Sequence, residues 1–388
     1  MLPAANRLGL RLRAFREQRA LSQEALSQKL GFKDRQTLSA IETGERRLSA
    51  EELLRAVQAL GVSVEQLVDP FQLTGEGRFS WRQTGLSSGR LESFEAVAGR
   101  WIAAFREIAP QVGRERPLLR QSLGLHKGST FEEAMAAGER FAREFELGEV
   151  PADRLPAVME EKLHILVLLV DATPGISGAA CRLPELDAVL INRKEVEGRR
   201  NFDLAHELFH LLTWETMPPE HIEEADQGAG RGKVEQLANA FAGALLMPRQ
   251  LLEPVFARSL TERSGDGEGY GEGKGGGAGS GFGYGPPSVS QLKTLAARLE
   301  VSAVAVKWRL VALGRISRKE ALAIDDRLLR EGKSKVPPLF SRLFMDVLAR
   351  AIDEGQVSAR RAADLANLPL EDLADLFRTH GVDAPFEL

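Results

Sequence analysis

The sequence predicts a mostly helical α+β protein, with an N-terminal five-helix domain, a central part built around a small three-stranded sheet, and C-terminal helices. Three observations lead there. Helix caps and helix-period apolar residues fill positions 6–68. Three short apolar runs bounded by turn residues lie between 163 and 191. Helical patterns return after a glycine-rich break and continue to the C-terminus. At 388 residues the chain is long enough for two or three domains, and 43% apolar with 27% charged residues excludes wholesale disorder. A single cysteine, Cys181, excludes a disulfide scaffold and a zinc site built from several thiolates. Its place in an apolar strand reads as a buried structural thiol. The longest apolar run, Ile165–Val170, is far too short to span a bilayer. Arg7, Arg11, Arg13 and Arg16 imitate a transit peptide, but their helical spacing argues for a folded domain. A soluble, cytoplasmic protein with no membrane partner is expected.

In the first segment, Ser22, Ser49 and Ser63 each stand before a helical pattern with apolar residues on either side. Glu52 and Gln66, three residues beyond Ser49 and Ser63, complete two capping boxes. A helix at 23–29, the turn Leu30-Gly31-Phe32 and a helix at about 35–43 ended by Gly44 follow the helix-turn-helix plan. Residues 1–47 carry ten Lys/Arg against five Asp/Glu, while the whole chain has net charge −4. A basic module on an acidic body points to a polyanion partner at one end.

The strings Leu21-Ser22-Gln23-Glu24-Ala25-Leu26 and Leu38-Ser39-Ala40-Ile41-Glu42-Thr43-Gly44-Glu45-Arg46 resemble the Xre/Cro-type DNA-binding domain, over about 60 residues. The helix-turn is one residue longer than usual. With Leu38 and Ile41 facing inward, Arg35, Gln36, Thr37 and Ser39 face out. Arg35 suits a guanine edge and Gln36 an adenine edge. Gln23 at a helix N-terminus, with Arg46 and Arg47 nearby, suits phosphate. The partner implied is a double-stranded DNA operator, bound as a homodimer in the manner of such domains.

Between the first domain and the sheet, Arg90–Ala109 and Phe131–Phe145 read as amphipathic helices. The expected strands are Ile165–Val170, Gly178–Cys181 and Ala188–Ile191. The last of these lies just before the next helix and is offered as an edge for an extended substrate.

That helix carries His206-Glu207-Leu208-Phe209-His210. Histidines four apart share a helix face and reach one metal, while Glu207, turned by about 100°, reaches a water beside it. A catalytic metal needs a third protein ligand. Glu235, one turn before Asn239 on a second amphipathic helix, is preferred over His221, Glu223, Glu224 and Asp226, which stand in a polar, glycine-containing loop. Asn239 is placed to accept from a ligand histidine's other ring nitrogen.

The HExxH string, the stretch Glu235–Pro248 (ExxAN-x-FA-xx-LLMP) and the lead-in Arg200-Asn201-Phe202 together resemble the ImmA/IrrE family of zinc metallopeptidases, whose members often carry an Xre-type domain. The resemblance covers about 140–260 and resumes from Leu295 to Leu310. Phe209 departs from the glycine frequent in the family, and a glycine-rich insertion follows residue 260. The resemblance implies a zincin-like fold, a zinc ion (manganese remaining open) on His206, His210 and Glu235, and Glu207 as general base. It also implies cleavage of a protein, such as a transcriptional repressor. An oxyanion donor is needed besides the metal. Both tyrosines, Tyr270 and Tyr284, lie in the glycine-rich stretch, leaving His221, an arginine or backbone. The alternatives are a non-catalytic metal-binding regulator and an antitoxin-like binding module.

The domains expected are thus 1–70, helix-turn-helix; 71–140, a helical connecting region; 141–262, the metallopeptidase core; 263–287, a flexible tether; and 288–388, C-terminal helices. In the tether, twelve of the residues 265–285 are glycine, a composition that cannot offset its ordering entropy by burial. The helices near 290–313 repeat a helix-turn-helix rhythm with Lys293, Arg298, Lys307, Arg309, Arg315 and Arg318, read as packing on the peptidase in preference to a second DNA contact. Residues 358–377 read as an interaction or capping element.

Overall fold

The computed structural model describes residues 4–114, 118–224, 232–253, 287–330, 332 and 334–387. The expected tether therefore lies outside the described residues, apart from Pro287. No helix among the described residues is long and apolar enough to cross a membrane.

The first domain is five helices, α1 (Ala4–Gln18), α2 (Gln23–Leu30), α3 (Arg35–Glu42), α4 (Ala50–Leu60) and α5 (Val64–Val68). Their starts are where the hydroxyl caps place them: Ser22 accepts from Ala25 N–H, and both capping boxes are formed. Leu12, Leu26, Leu30, Leu38, Ile41 and Leu60 form its core. Arg11, 2% exposed, fastens this domain to the body by pairing with Glu76 at 2.8 Å and donating to the carbonyls of Leu67, Asp69 and Gln72. Arg7 pairs with Glu107 of the body, and Arg16 with Glu42 at 2.6 Å. Part of the basic charge of the first segment thus serves packing. A lone buried carboxylate or guanidinium would be costly, and each is paired.

The body is a five-stranded sheet covered by helices on both faces. The strands are β1 (Arg78–Gln83), β2 (Ile165–Val170), β3 (Ile176–Arg182), β4 (Asp187–Asn192) and β5 (Ile222–Glu224), in the order β2-β4-β3-β1-β5. The three apolar runs are strands as expected. The sheet gains β1 and β5, both missed in the sequence: β5 has only three residues, and β1 (Arg-Phe-Ser-Trp-Arg-Gln) has no apolar run. The region 71–140, expected to be helical, supplies β1. Strand β4 lies between β2 and β3, so its edges are both occupied and it offers no edge to a substrate. Among the described residues, β2 and β5 are the edges.

Along β2, Ile165 and Val167 face one core while Leu166, Leu168 and Val170 face the other. Such unbroken apolar runs are what a sheet buried on both faces requires. On one face lie α6 (Ser88–Gln111) and the C-terminal helices α14 (Arg342–Asp353), α15 (Ala359–Ala366) and α16 (Leu370–Thr379). On the other lie α7 (Phe131–Glu144), α8 (Pro151–Glu161), α9 (Glu197–Thr213) and α10 (Lys233–Leu246), joined by α11 (Val289–Leu299), α12 (Ala303–Ala312) and α13 (Arg318–Ala323). The C-terminal region is thus divided between two cores. Lys307 and Arg309 are buried: Lys307 pairs with Asp326, and Arg309 with Glu139 and the Met247 carbonyl. Gly198 at the start of α9 brings its Cα so close to Val301 and Ser302 that a Cβ there would meet Ser302 N at 2.4 Å. The second half of this core therefore packs tightly onto α9, as the reading of 290–313 expected.

Candidate metal centre and DNA-reading face

α9 is buried from Asp203 to Thr213, and its polar side chains there need partners. His206 and His210, one turn apart, bring their Nε2 atoms to 3.0 Å. Glu235, in the first turn of α10, places Oε2 3.1 Å from His206 Nε2 and Oε1 3.3 Å from His210 Nε2. The structure adds Glu223 of β5, whose Oε2 lies 3.3 Å from His210 Nε2. The donor atoms of all four residues fall within 4.8 Å of one another. Tetrahedral donors about 2.0–2.1 Å from a zinc ion stand roughly 3.3 Å apart, so this spacing fits the ion. Asn239 Oδ1 lies 3.1 Å from His206 Nδ1, on the side away from the cluster.

Electrostatics point the same way. Burial pulls His206 down to about 3, assisted by the nearby charge of Arg82. Burial opposes a charge on His210 as well, but Glu223 and Glu235 outweigh it and hold His210 well above its ordinary value. Glu235 is held far below the carboxylate range, against its burial, by His206 and His210. Burial pushes Glu207 up to about 8. Both oxygens of Glu207, and Oε2 of Glu223, are buried without a hydrogen bond. Carboxylates so placed converge on a point that favours positive charge.

The sheet decides what surrounds Glu207. Pairing places Ile191, Gly178, Arg82 and Glu223 in one row across β4, β3, β1 and β5. Paired residues of neighbouring strands point to the same face. A Cβ on Gly178 would lie 3.7 Å from Glu207 Cγ, an ordinary van der Waals contact, so Gly178 is the sheet position beneath the carboxylate. Next in the row, Arg82 is 8% exposed, lies 3.5 Å from Asp203, and has Nε and Nη1 without hydrogen bonds. Burial opposes its charge, but Asp203, Glu207, Glu235 and Glu223 together raise its pKa. Sequence reading passed over Arg82. The alternation Phe79-Ser80-Trp81-Arg82 was available as a strand signal, but alternation by itself assigns the polar face to solvent, whereas here α9 covers it.

His221, offered as oxyanion donor, does not join the cluster. Its Nδ1 is 3.2 Å from the Phe79 carbonyl and its Nε2 3.5 Å from Glu95 of α6, and its side chain is half exposed. It precedes Ile222, which pairs with Trp81 and shares the other face of the sheet. Of the rival ligands, Glu223 is brought in, while Asp226 lies outside the described residues. Cys181 is fully buried, and burial raises its thiol pKa, as a structural role expects. Phe209 packs on Phe241 with ring centroids 5.5 Å apart, filling core space between α9 and α10. A cavity of about 1010 Å³ reaches Arg82, Asp203 and Asn239 from the side of Phe131, Phe202 and Trp308.

In the first domain Leu38 and Ile41 point inward, and Arg35 and Gln36 are exposed at the start of α3. Thr37 and Ser39 are half-buried, and the Thr37 hydroxyl and N–H both donate to Asp34, the α3 cap. Arg47 is exposed. Gln23 instead donates to Glu42 at 2.9 Å, and Arg46 forms a two-pronged pair with Glu52 at 2.7 and 3.2 Å. These last two are committed inside the domain.

Comparison with known proteins agrees with this division. The helix-turn-helix family model matches residues 12–67, and that of the IrrE N-terminal-like domain, a peptidase family, matches residues 161–311. The chain is therefore an Xre-type helix-turn-helix domain fused to an IrrE N-terminal-like domain, a DNA-binding regulator with a peptidase-family body. No curated protein matches it in sequence. Among solved structures, the apo form of the competence regulator ComR from Streptococcus vestibularis aligns at 14% identity, over 95% of this chain and 100% of that one, with a TM-score of 0.17. ComR from S. thermophilus in complex with DNA and its signalling peptide ComS aligns at 13% identity, over 92% and 99%, also at 0.17. Superposition at that level places no residue of this protein.

Proposed function

We propose that the body is a zinc-dependent endopeptidase acting on a protein, a transcriptional repressor in particular, and that the N-terminal domain brings it to an operator as a homodimer. The observation that carries this reading is the convergence of His206, His210 and Glu235 beside a buried carboxylate, Glu207, whose oxygens have no hydrogen bond. His206, His210 and Glu235 would hold the ion. A zinc ion in such a site polarises a carbonyl and lowers the pKa of water to about 7.

Glu207 takes the proton from the attacking water and passes it to the leaving amine. Its place on α9, one residue after His206, points it beside the donors, over Gly178 of β3. Arg82, with a fixed charge and two nitrogens, Nε and Nη1, without hydrogen bonds, stabilises the negative charge that develops on the carbonyl oxygen. It takes the place for which His221 had been considered. Asn239 accepts from His206 Nδ1–H, which fixes the tautomer that leaves Nε2 free. On the DNA side, Arg35 and Gln36 read base edges and Arg47 contacts phosphate.

The test is metal per chain by elemental analysis, on wild type and Glu235→Ala together, followed by proteolysis of an unfolded protein such as denatured casein by wild type and Glu207→Gln. One zinc in wild type, much less in Glu235→Ala, and cleavage lost by about 10²–10⁴ in Glu207→Gln with zinc retained is the expected pattern. No metal in wild type overturns the peptidase reading, and cleavage surviving in Glu207→Gln overturns the role of the base.

A further inference from the structure

We infer that Glu223 is a fourth protein ligand of the metal, so that the site as folded is closed, and that the edge strand β5 is the part that withdraws to open it. This rests on the metal-centre reading above. The other three donors come from two helices packed deep in the core, α9 and α10. Glu223 comes from a separate element. It lies in β5, which pairs with β1 over three residues and forms the edge of the sheet. Its side chain is 9% exposed, yet Oε2 has no hydrogen bond and faces His210 Nε2 at 3.3 Å. That is the donor spacing found between the histidines and Glu235.

The charge pattern also favours a cation here. Glu207, Glu223 and Glu235 converge with Asp203 close by, and Arg82 acts on all four. Asp203 also has Arg199 at 3.6 Å. Glu223 and Glu235 both face the two imidazoles, and a divalent ion held by both carboxylates would meet them directly.

The consequence for function follows from coordination chemistry. Zinc with four protein donors is a closed, structural type of site, whereas hydrolysis needs one position free for substrate or water. A base beside a closed site has nothing to act on. Glu207 and Glu223 are therefore compatible only if Glu223 leaves during the catalytic cycle, and its element is the one built to do so. An edge strand of three residues with Ile222 37% exposed has little burial to lose on moving. An extended substrate paired along β1 in its place would displace Glu223 from the metal and present its own carbonyl there. The protein as folded is a latent peptidase that its substrate opens.

The test uses full-length protein loaded with zinc or cobalt(II), comparing wild type, Glu223→Ala, Glu223→Gln and Glu235→Ala. Zinc affinity is read by chelator competition, and access to the metal by the visible spectrum of the cobalt protein during titration with acetohydroxamate. Expected are a fall in zinc affinity of about tenfold or more in Glu223→Ala, and a saturable spectral change in that variant at concentrations that leave wild type unchanged. Should Glu223→Ala fail to fold, Glu223→Gln, with the same shape and a weaker donor, carries both measurements. Zinc affinity unchanged in the Glu223 variants but lost in Glu235→Ala overturns this inference and leaves the metal centre standing. A wild type that titrates as readily as Glu223→Ala also overturns it. No zinc bound by wild type fails the metal-centre reading itself.

Discussion

His206 Nδ1 and Asn239 Oδ1 stand 3.1 Å apart across the packed faces of α9 and α10. The pair links the first histidine of the HExxH helix to the helix that supplies Glu235, one turn away from Asn239. A ring held at Nδ1 keeps its Nε2 on the cluster without rotational search. Asn239→Ala is expected to weaken zinc binding by about 10–100-fold while the melting temperature of the metal-free protein shifts little, read by chelator competition and by calorimetry. Equal affinity in the variant would show that packing alone orients His206.

Gly178 tests the role of the sheet in placing the base. A Cβ there meets the Leu190 carbonyl at 2.9 Å and Ile191 Cδ1 at 3.1 Å before it approaches Glu207. Gly178→Ala is expected to destabilise the fold by about 1–3 kcal/mol in denaturant titration, the usual cost of overpacking. Proteolysis should fall more than zinc affinity does, since the carboxylate and not the donors lies above this position. A variant with wild-type stability and activity would remove Gly178 from the argument.

The two ends of the molecule are expected to separate functionally at the level of single residues. Arg35→Ala should cost about 1–3 kcal/mol in operator affinity and relax preference at one base position, with zinc content unchanged. Arg47→Ala should weaken binding evenly across sequences and reduce the salt slope by about one unit. Binding isotherms at several salt concentrations measure both. Gln23 and Arg46 are committed to Glu42 and Glu52, so their loss should be read first as lost domain stability.

What was legible in the sequence was what local chemistry encodes. A hydroxyl followed three residues later by Glu or Gln caps a helix wherever it occurs, and the structure has those caps at Ser49 and Ser63. Histidines four apart on a helix must share a face, so His206 and His210 converge whatever surrounds them. Glu235 and Asn239 share a face for the same reason, and the family resemblance added the expectation that this face meets α9. The apolar runs of β2 and β4 are long enough to announce strands buried on both sides.

Arg82 was not legible, and Glu223 was legible only as a rival to Glu235, because neither is placed by its own neighbours in sequence. Both stand in strands whose membership in the sheet comes from pairing: β1 between β3 and β5, and β5, among the described residues, on β1. A polar residue in an alternating strand reads as solvent-facing until another element covers it, and α9, more than a hundred residues away, is that element. The fate of His221 was settled by tertiary contacts too: it stands just before β5, and its ring meets the Phe79 carbonyl and Glu95 of α6. By itself the sequence determined the two modules, the helix that bears the metal motif and the exposure of Arg35 and Gln36 at the start of α3, since each depends on spacing within a few turns. Tertiary structure alone decided which charges are buried together around Glu207, because that depends on strand register, and register is set by long-range pairing.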